Sequence, residues 1–164
     1  MAVVARGVTA CAPRYDRTMS TSAFIVKTVT WTAARELLSA VRRVVFLEEQ
    51  KVPPELEWDG ADDGACHVLA VAEDGTPVGT ARLKLDCRIG RMAVVKSWRR
   101  RGVGSQMLSV LIGIARKEGC TTVRLHAQTQ AVDFYRRHGF TAVGAEFEEA
   151  GITHRAMELT VHTP

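Results

Sequence analysis

The sequence predicts a single-domain α/β protein, built on a mixed sheet flanked by helices. Three observations carry that prediction. Strand-like runs come first, in direct succession as hairpins require. From residue 89 onward they alternate with helical periodicity. At 164 residues, with 46% hydrophobic and 24% charged side chains, the chain can bury one core of its own. No apolar run approaches the roughly 18–20 residues of a membrane-spanning helix. Disorder throughout would need fewer apolar side chains and a larger net charge than the formal +4. No internal repeat or second domain is visible.

The elements follow in order. Residues 1–22 mix small and β-branched residues around Pro13 without a sustained period. They read as a disordered leader, with the domain over 23–164. Phe24 to Thr30 is β-branched and apolar, as in a strand. Thr32 is placed to cap a helix whose Leu37, Leu38, Val41, Val44, Val45 and Leu47 approximate one face. Lys51 to Gly64 contains Pro53-Pro54 and reads as a loop with short helical turns. Cys66–Ala72 and Val78–Leu85 form a hairpin around Glu73–Pro77, followed by a strand over Ile89–Val95. A helix then opens at Gly102-Val103-Gly104, with Val103, Met107, Leu108, Leu111, Ile112 and Ala115 on one face and Gly119 at its end. Thr121–Ala127 is a strand, Ala131–His138 a helix stopped by Gly139, and Phe140–Val143 and His154–Val161 the last strands.

The four cysteines (Cys11, Cys66, Cys87, Cys120) are widely spaced and include no Cys-x-x-Cys. The sequence therefore suggests neither a metal site nor a disulfide framework, and it favours a reducing, cytoplasmic compartment.

Charge is strongly segregated. Cys87 to Lys117 holds Arg88, Arg91, Lys96, Arg99, Arg100, Arg101, Arg116 and Lys117 with no acidic residue. Glu48 to Asp63 holds Glu48, Glu49, Glu55, Glu57, Asp59, Asp62 and Asp63 against Lys51 alone. Within the basic stretch, a strand runs into Arg99-x-x-Gly102-x-Gly104 at a helix start. Glycines there let main-chain N–H groups approach an anion, and the helix N-terminus adds about half a positive charge. The turn reads as a diphosphate site. It lacks the Gly-Lys-Ser/Thr of a Walker loop and the third glycine of a dinucleotide fingerprint. Nucleic-acid binding is disfavoured, since aromatic content is only 6% and leaves few stacking platforms.

Four motifs in order make the chain resemble the Gcn5-related N-acetyltransferase superfamily over roughly residues 24–160. They are Arg42-x-x-Val45-Phe46-x-x-Glu49-Gln50; Arg99-x-x-Gly102-x-Gly104 after Arg91–Val95; Ala131-Val132-Asp133-Phe134-Tyr135-Arg136-Arg137-His138-Gly139-Phe140; and Phe147-x-Glu149-x-Gly151-Ile152-x-His154. The first and last are similar to the bacterial ElaA/YjcF-like branch. The resemblance implies a mixed, mostly antiparallel sheet splayed between its fourth and fifth strands, with acetyl-CoA in the gap and no metal. It implies that the backbone of Met92, Ala93 and Val94 pairs with the pantetheine arm. The diphosphate would lie on Arg99, Arg100, Arg101, Gly102, Val103, Gly104 and Ser105. Gln128 stands where many relatives carry asparagine, and Tyr135 matches the tyrosine beside the thioester sulfur.

Acyl transfer to an amine needs a neutral amine, a polarised carbonyl and a proton for the leaving thiolate. A strand N–H near Val94 can polarise the carbonyl, and Tyr135 can supply the proton. A lysine-like amine is neutral only about once in 2,500 at pH 7, a penalty near 4.6 kcal/mol. A base is therefore expected. Glu49 and His126 are the two candidates, His126 because period-2 alternation puts it on the strand face of Gln128. The acidic segment suggests a cationic amine acceptor, either a small molecule or a peptide. A homodimer stays open, as does the alternative of a non-catalytic acyl-CoA-binding module.

Overall fold

In the computed structural model, residues 23–162 are described, so the leader expected over 1–22 lies outside the described residues. Seven strands share one sheet: β1 (Phe24–Val29), β2 (Cys66–Ala72), β3 (Pro77–Leu83), β4 (Arg88–Val94), β5 (Thr122–Gln128), β6 (Thr141–Glu149) and β7 (Ile152–Thr160). Their spatial order is β1-β2-β3-β4-β5-β7-β6. Every neighbouring pair is antiparallel except β4 and β5. The helices are α1 (Trp31–Arg42), α2 (Pro54–Glu57), α3 (Val103–Lys117) and α4 (Val132–Arg137).

β2 and β3 are buried beyond their first residues, because helices cover both faces of the sheet. Period-2 alternation divides β2 between them. Val68 and Ala70 enter the core with Met107, Leu108 and Leu111 of α3, while Leu69 and Val71 pack on Ala34 and Leu38 of α1. The six apolar residues expected on α3 are the six it buries. Its close seating shows at Gly79, where a Cβ would stand 3.0 Å from Met107 Cε and Val103 Cγ1.

Other elements differ from expectation. The α1 cap is Thr30, whose hydroxyl accepts the Ala33 N–H at 3.3 Å; Thr32 lies inside the helix, which starts a residue after Thr30. Past Arg42 the helix widens into a π-helix over Arg43–Glu49. That change of period breaks the expected stripe. Leu38, Val41 and Val45 stay buried and Val44 faces solvent, as does Leu37, which lies in the regular helix before the change. The strand expected over Phe140–Val143 runs on to Glu149. A bulge at Gly144 (φ +73°) carries it past residues with no apolar alternation. Its partner β7 starts at Ile152, two residues before the expected His154.

The cysteine expectation is corrected most clearly. Cys87 and Cys120 form a disulfide with Cα atoms 6.0 Å apart. They are 33 positions apart, so spacing gave no sign of it. The parallel alignment of β4 with β5 brings the residues ahead of both strands together, and the Arg124 N–H donates to the Cys87 carbonyl at 3.1 Å. The pairing removes the cysteine argument for a reducing compartment. A bridge closing a loop of this length stabilises by roughly 3–4 kcal/mol. Reduction is therefore expected to lower Tm by about 6–15 °C in a domain of this size. Cys87→Ser should reproduce that loss and make melting insensitive to reductant; an unchanged Tm on reduction would contradict it.

Candidate functional site

β4 and β5 pair only at Arg88 with Arg124 and Ile89 with Leu125. Beyond these the strands part, each keeping its ladder on the other side, with β3 and β7 respectively. On β4 the divergence begins at a bulge, where Arg91 adopts φ +50° opposite the β3 irregularity between Thr80 and Arg82. A cleft of about 510 Å³ opens over the gap, within the size range of small-molecule sites. Its walls come from the end of the π-helix, α2, the β3–β4 strands, β5 and the β6–β7 turn.

Tyr135 lines the cleft and is 8% exposed. Burial pushes its phenol up to about 12. The hydroxyl is therefore protonated at neutral pH, and it donates to Met92 Sδ at 3.5 Å. Met92, His126 and Gln128 share the cleft with Tyr135. Gln128 is set by amides: its Nε2 donates to Gln50 Oε1 at 2.8 Å, and its Oε1 accepts from Gln130 Nε2 at 2.7 Å.

His126 packs edge-on against Phe147, which stacks on His154. Its Nδ1 is 3.2 Å from Glu149 Oε2, and its Nε2 is 3.5 Å from Arg88 Nη1. The carboxylate can only accept and the guanidinium can only donate. This network assigns the proton to Nδ1 and a lone pair to Nε2. The His154 Nδ1–H donates to the Ile152 carbonyl at 2.7 Å.

Glu49 stands apart, at the end of the π-helix and outside the cleft lining. Arg99 Nη1 and Nη2 donate to its two oxygens at 2.7 Å each, and this bidentate pair holds the carboxyl below the usual carboxylate range. Arg99 Nε donates to the Val94 carbonyl at 2.9 Å, so the guanidinium ties the π-helix to the end of β4. Arg101 lies over Trp98, 5.0 Å from the ring centroid. Arg100 and Arg101 carry no ion pair among the described residues. Gly102 (φ +84°) is the αL residue that opens α3; a Cβ there would meet open space, and no side chain caps the helix. This 15-residue helix thus starts without a side-chain cap, directly after Arg100 and Arg101 in the chain. The turn suits a diphosphate. Gly104 has a packing reason as well, because a Cβ would touch Phe134 Cζ at 3.4 Å.

The acidic segment does not supply free negative charge to the cleft. Arg42, nearly inaccessible, meets Glu57 through Nε and Asp62 through Nη1 at 2.8 Å. It lies 4.6 Å from the Trp58 centroid and 5.5 Å from that of Trp31. Arg82 meets Asp59 at 2.6 Å and Asp62 at 2.9 Å; Arg91 meets Glu57 at 2.9 Å and Asp59 at 3.2 Å. Hydrogen bonds from Arg82 hold the Asp59 carboxyl well below its ordinary range. Burial outweighs the arginines at Glu57 and pushes its carboxyl up. Among the described residues, no His, Cys, Asp and Glu side chains group to hold a metal ion. No helix there is long and apolar enough to cross a membrane.

The sequence motifs contained the site's missing members without assigning them roles. Glu149 and Gln50 sit inside quoted motifs, and only the fold aims them at His126 and Gln128. Lys84 and Arg88 had no signal beyond charge.

Comparison with known proteins agrees with this geometry. A family model described as an acetyltransferase (GNAT) domain matches residues 34–161. YjcF of Bacillus subtilis (strain 168), described as an N-acetyltransferase, is 39% identical over 121 residues, covering 71% of this chain and 86% of that protein. The crystal structure of Escherichia coli ElaA superposes with a TM-score of 0.73 at 27% identity, covering 83% of this chain and 99% of that one. The structure of an acyl-CoA N-acyltransferase from Pseudomonas aeruginosa gives 0.69 at 30% identity, covering 84% and 98%.

Removing Arg42 would leave the buried Glu57 with Arg91 alone and the buried Asp62 with Arg82 alone, and would empty the space beside Trp31 and Trp58. Arg42→Ala is expected to cost about 3–5 kcal/mol by denaturant unfolding; a loss below 1 kcal/mol would contradict the buried cluster. The Asp59 shift has a definite sign. Its folded carboxyl titrates below its unfolded value, so its contribution is present above about pH 4 and fades as pH falls. In Asp59→Asn that part of the acid-side slope of stability should disappear.

Proposed function

The chain belongs to the GNAT acetyltransferase family, whose members use an acyl-CoA cosubstrate, and from that premise we propose that it moves an acetyl group from acetyl-CoA to a primary amine by direct transfer in a ternary complex. The observation that carries this reading is the gap between β4 and β5, lined by the buried Tyr135 and by Met92, against which Gly104 at the start of α3 is seated. Acetyl-CoA supplies an activated carbonyl and a thiol leaving group.

The protein's own groups suit the remaining work. The N–H groups of Val103, Gly104 and Ser105, with Arg100 and Arg101, would hold the diphosphate. The edge of β4 over Met92–Val94, released from β5, suits an extended amide chain in strand-like pairing. A β4 N–H near Val94 would polarise the thioester carbonyl as negative charge develops on oxygen.

His126 is the better placed of the two candidate bases. It lines the cleft, offers the Nε2 lone pair, and has Glu149 behind Nδ1 to stabilise the imidazolium formed when it takes the amine proton. Glu49 is the weaker base, since Arg99 favours its ionised form. A phenol near 12 is a weaker acid than an ordinary thiol of about 8.5. Tyr135 therefore works as a hydrogen-bond donor to the departing sulfur. On those values the proton stays with Tyr135, and the sulfur leaves as a thiolate stabilised by that hydrogen bond.

Thiol release from acetyl-CoA against an amine panel, with calorimetric titration of CoA, tests the reading. Tyr135→Phe is expected to lower kcat about 100-fold with CoA Kd nearly unchanged. His126→Ala should lower kcat comparably. Failure to bind CoA at millimolar concentration would overturn the proposal, and CoA binding without turnover on any amine would favour an acyl-CoA-binding module instead.

A further inference from the structure

The charged residues of the cleft divide into those already matched and those left over. Arg82 and Arg91, with Arg42 behind them, are matched by Glu57, Asp59 and Asp62. Glu149 is hydrogen-bonded to the neutral His126 and keeps its negative charge at that side of the cleft. Lys84 and Arg88 remain. Both line the cleft, just after β3 and at the start of β4. Their ion-pair partner among the described residues is Asp86, 3.9 Å from each. Asp86 is 53% exposed, lies outside the cleft lining and accepts the Arg88 backbone N–H at 3.2 Å. A single exposed carboxylate shared at that distance neutralises little. Both cations keep solvent access inside a concave site, where low-dielectric walls strengthen their field.

The cleft is therefore polar end to end. Two unmatched cations stand at the β3–β4 side, and the proton-accepting pair His126–Glu149 stands across from them on β5 and the β6–β7 turn. We propose that the acceptor is a small amine that also carries an anionic group, a carboxylate or a phosphate, held by Lys84 and Arg88 with its amine toward His126 and Tyr135. This rests on the transferase reading above and reverses the cationic acceptor that the acidic segment suggested, because the carboxylates of that segment that line the cleft, Glu57 and Asp59, are matched by Arg42, Arg82 and Arg91. A guanidinium receives either anion in a two-point contact, and the lysine adds a point charge. Arg88 also links the two ends. Its Nη1 points at His126 Nε2 from 3.5 Å, so an anion that draws the guanidinium away uncovers the lone pair that takes the amine proton.

Matched acceptors test this at saturating acetyl-CoA. β-Alanine is compared with its amide, and O-phosphoethanolamine with ethanolamine, so the two arms separate carboxylate from phosphate. The member bearing the carboxylate or phosphate in at least one pair should exceed its partner, a simple cation, tenfold or more in kcat/KM, a difference of 1.4 kcal/mol. Lys84→Gln and Arg88→Gln should each shrink that ratio, and the double variant should bring it near one, chiefly through KM for the anionic amine. CoA Kd and Tm measured on the same variants report whether the fold is kept, and Lys84→Glu should turn the preference toward the simple cation. Calorimetric titration of the anionic amine into the CoA-loaded protein should show binding that weakens with salt. Equal kcat/KM within both pairs, or a preference that survives the double variant, would overturn the inference alone. No turnover with any amine despite CoA binding would overturn the transferase reading and this inference together.

Discussion

β4 and β5 are joined by two residue pairs, at Arg88–Arg124 and Ile89–Leu125, and the cleft depends on that seam being short. A parallel pair continued to the strand ends would have closed the sheet and consumed the main-chain groups on both facing edges. Instead each strand is held from its far side. β5 pairs with β7 along its whole length, and β4 pairs with β3 on either side of its bulge. Backbone N–H and C=O groups that leave a ladder must find other partners. The edges released by the parting strands suit the extended, amide-bearing ligand proposed above. The seam itself is reinforced beside its closed end, where Cys87–Cys120 and the Arg124–Cys87 hydrogen bond tie the strand starts together.

The wall facing this gap is held by charge. Three arginines and three carboxylates from five parts of the chain meet at the edge of the cleft, with Arg42 enclosed between two tryptophans. Burying charged groups is unfavourable unless each is matched, and a matched set fixes geometry more than it adds stability. The cluster pins α2 and its flanking loop onto β3 and β4, where hydrophobic contacts are sparse. It also matches the two carboxylates, Glu57 and Asp59, that this segment presents to the cleft. Whatever charge selectivity the cleft has then comes from residues outside the cluster.

Much of this was legible in the residues. The α3 stripe needs only a 3.6-residue period, because a long helix on a sheet buries one face. The glycine turn needs only Gly102 at the helix start, because few other residues adopt its backbone conformation without strain. Motif order identified the family and marked Tyr135, the family resemblance marked Gln128, and period-2 alternation from Gln128 marked His126; the three share one cleft. The π-helix, the bulge in β6 and the cap at Thr30 were less legible, since each is set by how neighbouring elements seat rather than by local preference.

The sequence by itself determined the fold class, the core face of each long element and the chemistry available at the turn, because these follow from periodicity and backbone conformation within a few residues. Only the tertiary structure decided which charges cancel. Arg99 turns to Glu49, Arg42 and Arg82 take up the acidic segment, and Lys84 and Arg88 are left in the cleft. It likewise decided that Cys87 meets Cys120 and Glu149 meets His126. Electrostatic and covalent pairings depend on distances of a few ångströms between residues tens of positions apart, and composition carries no record of those distances.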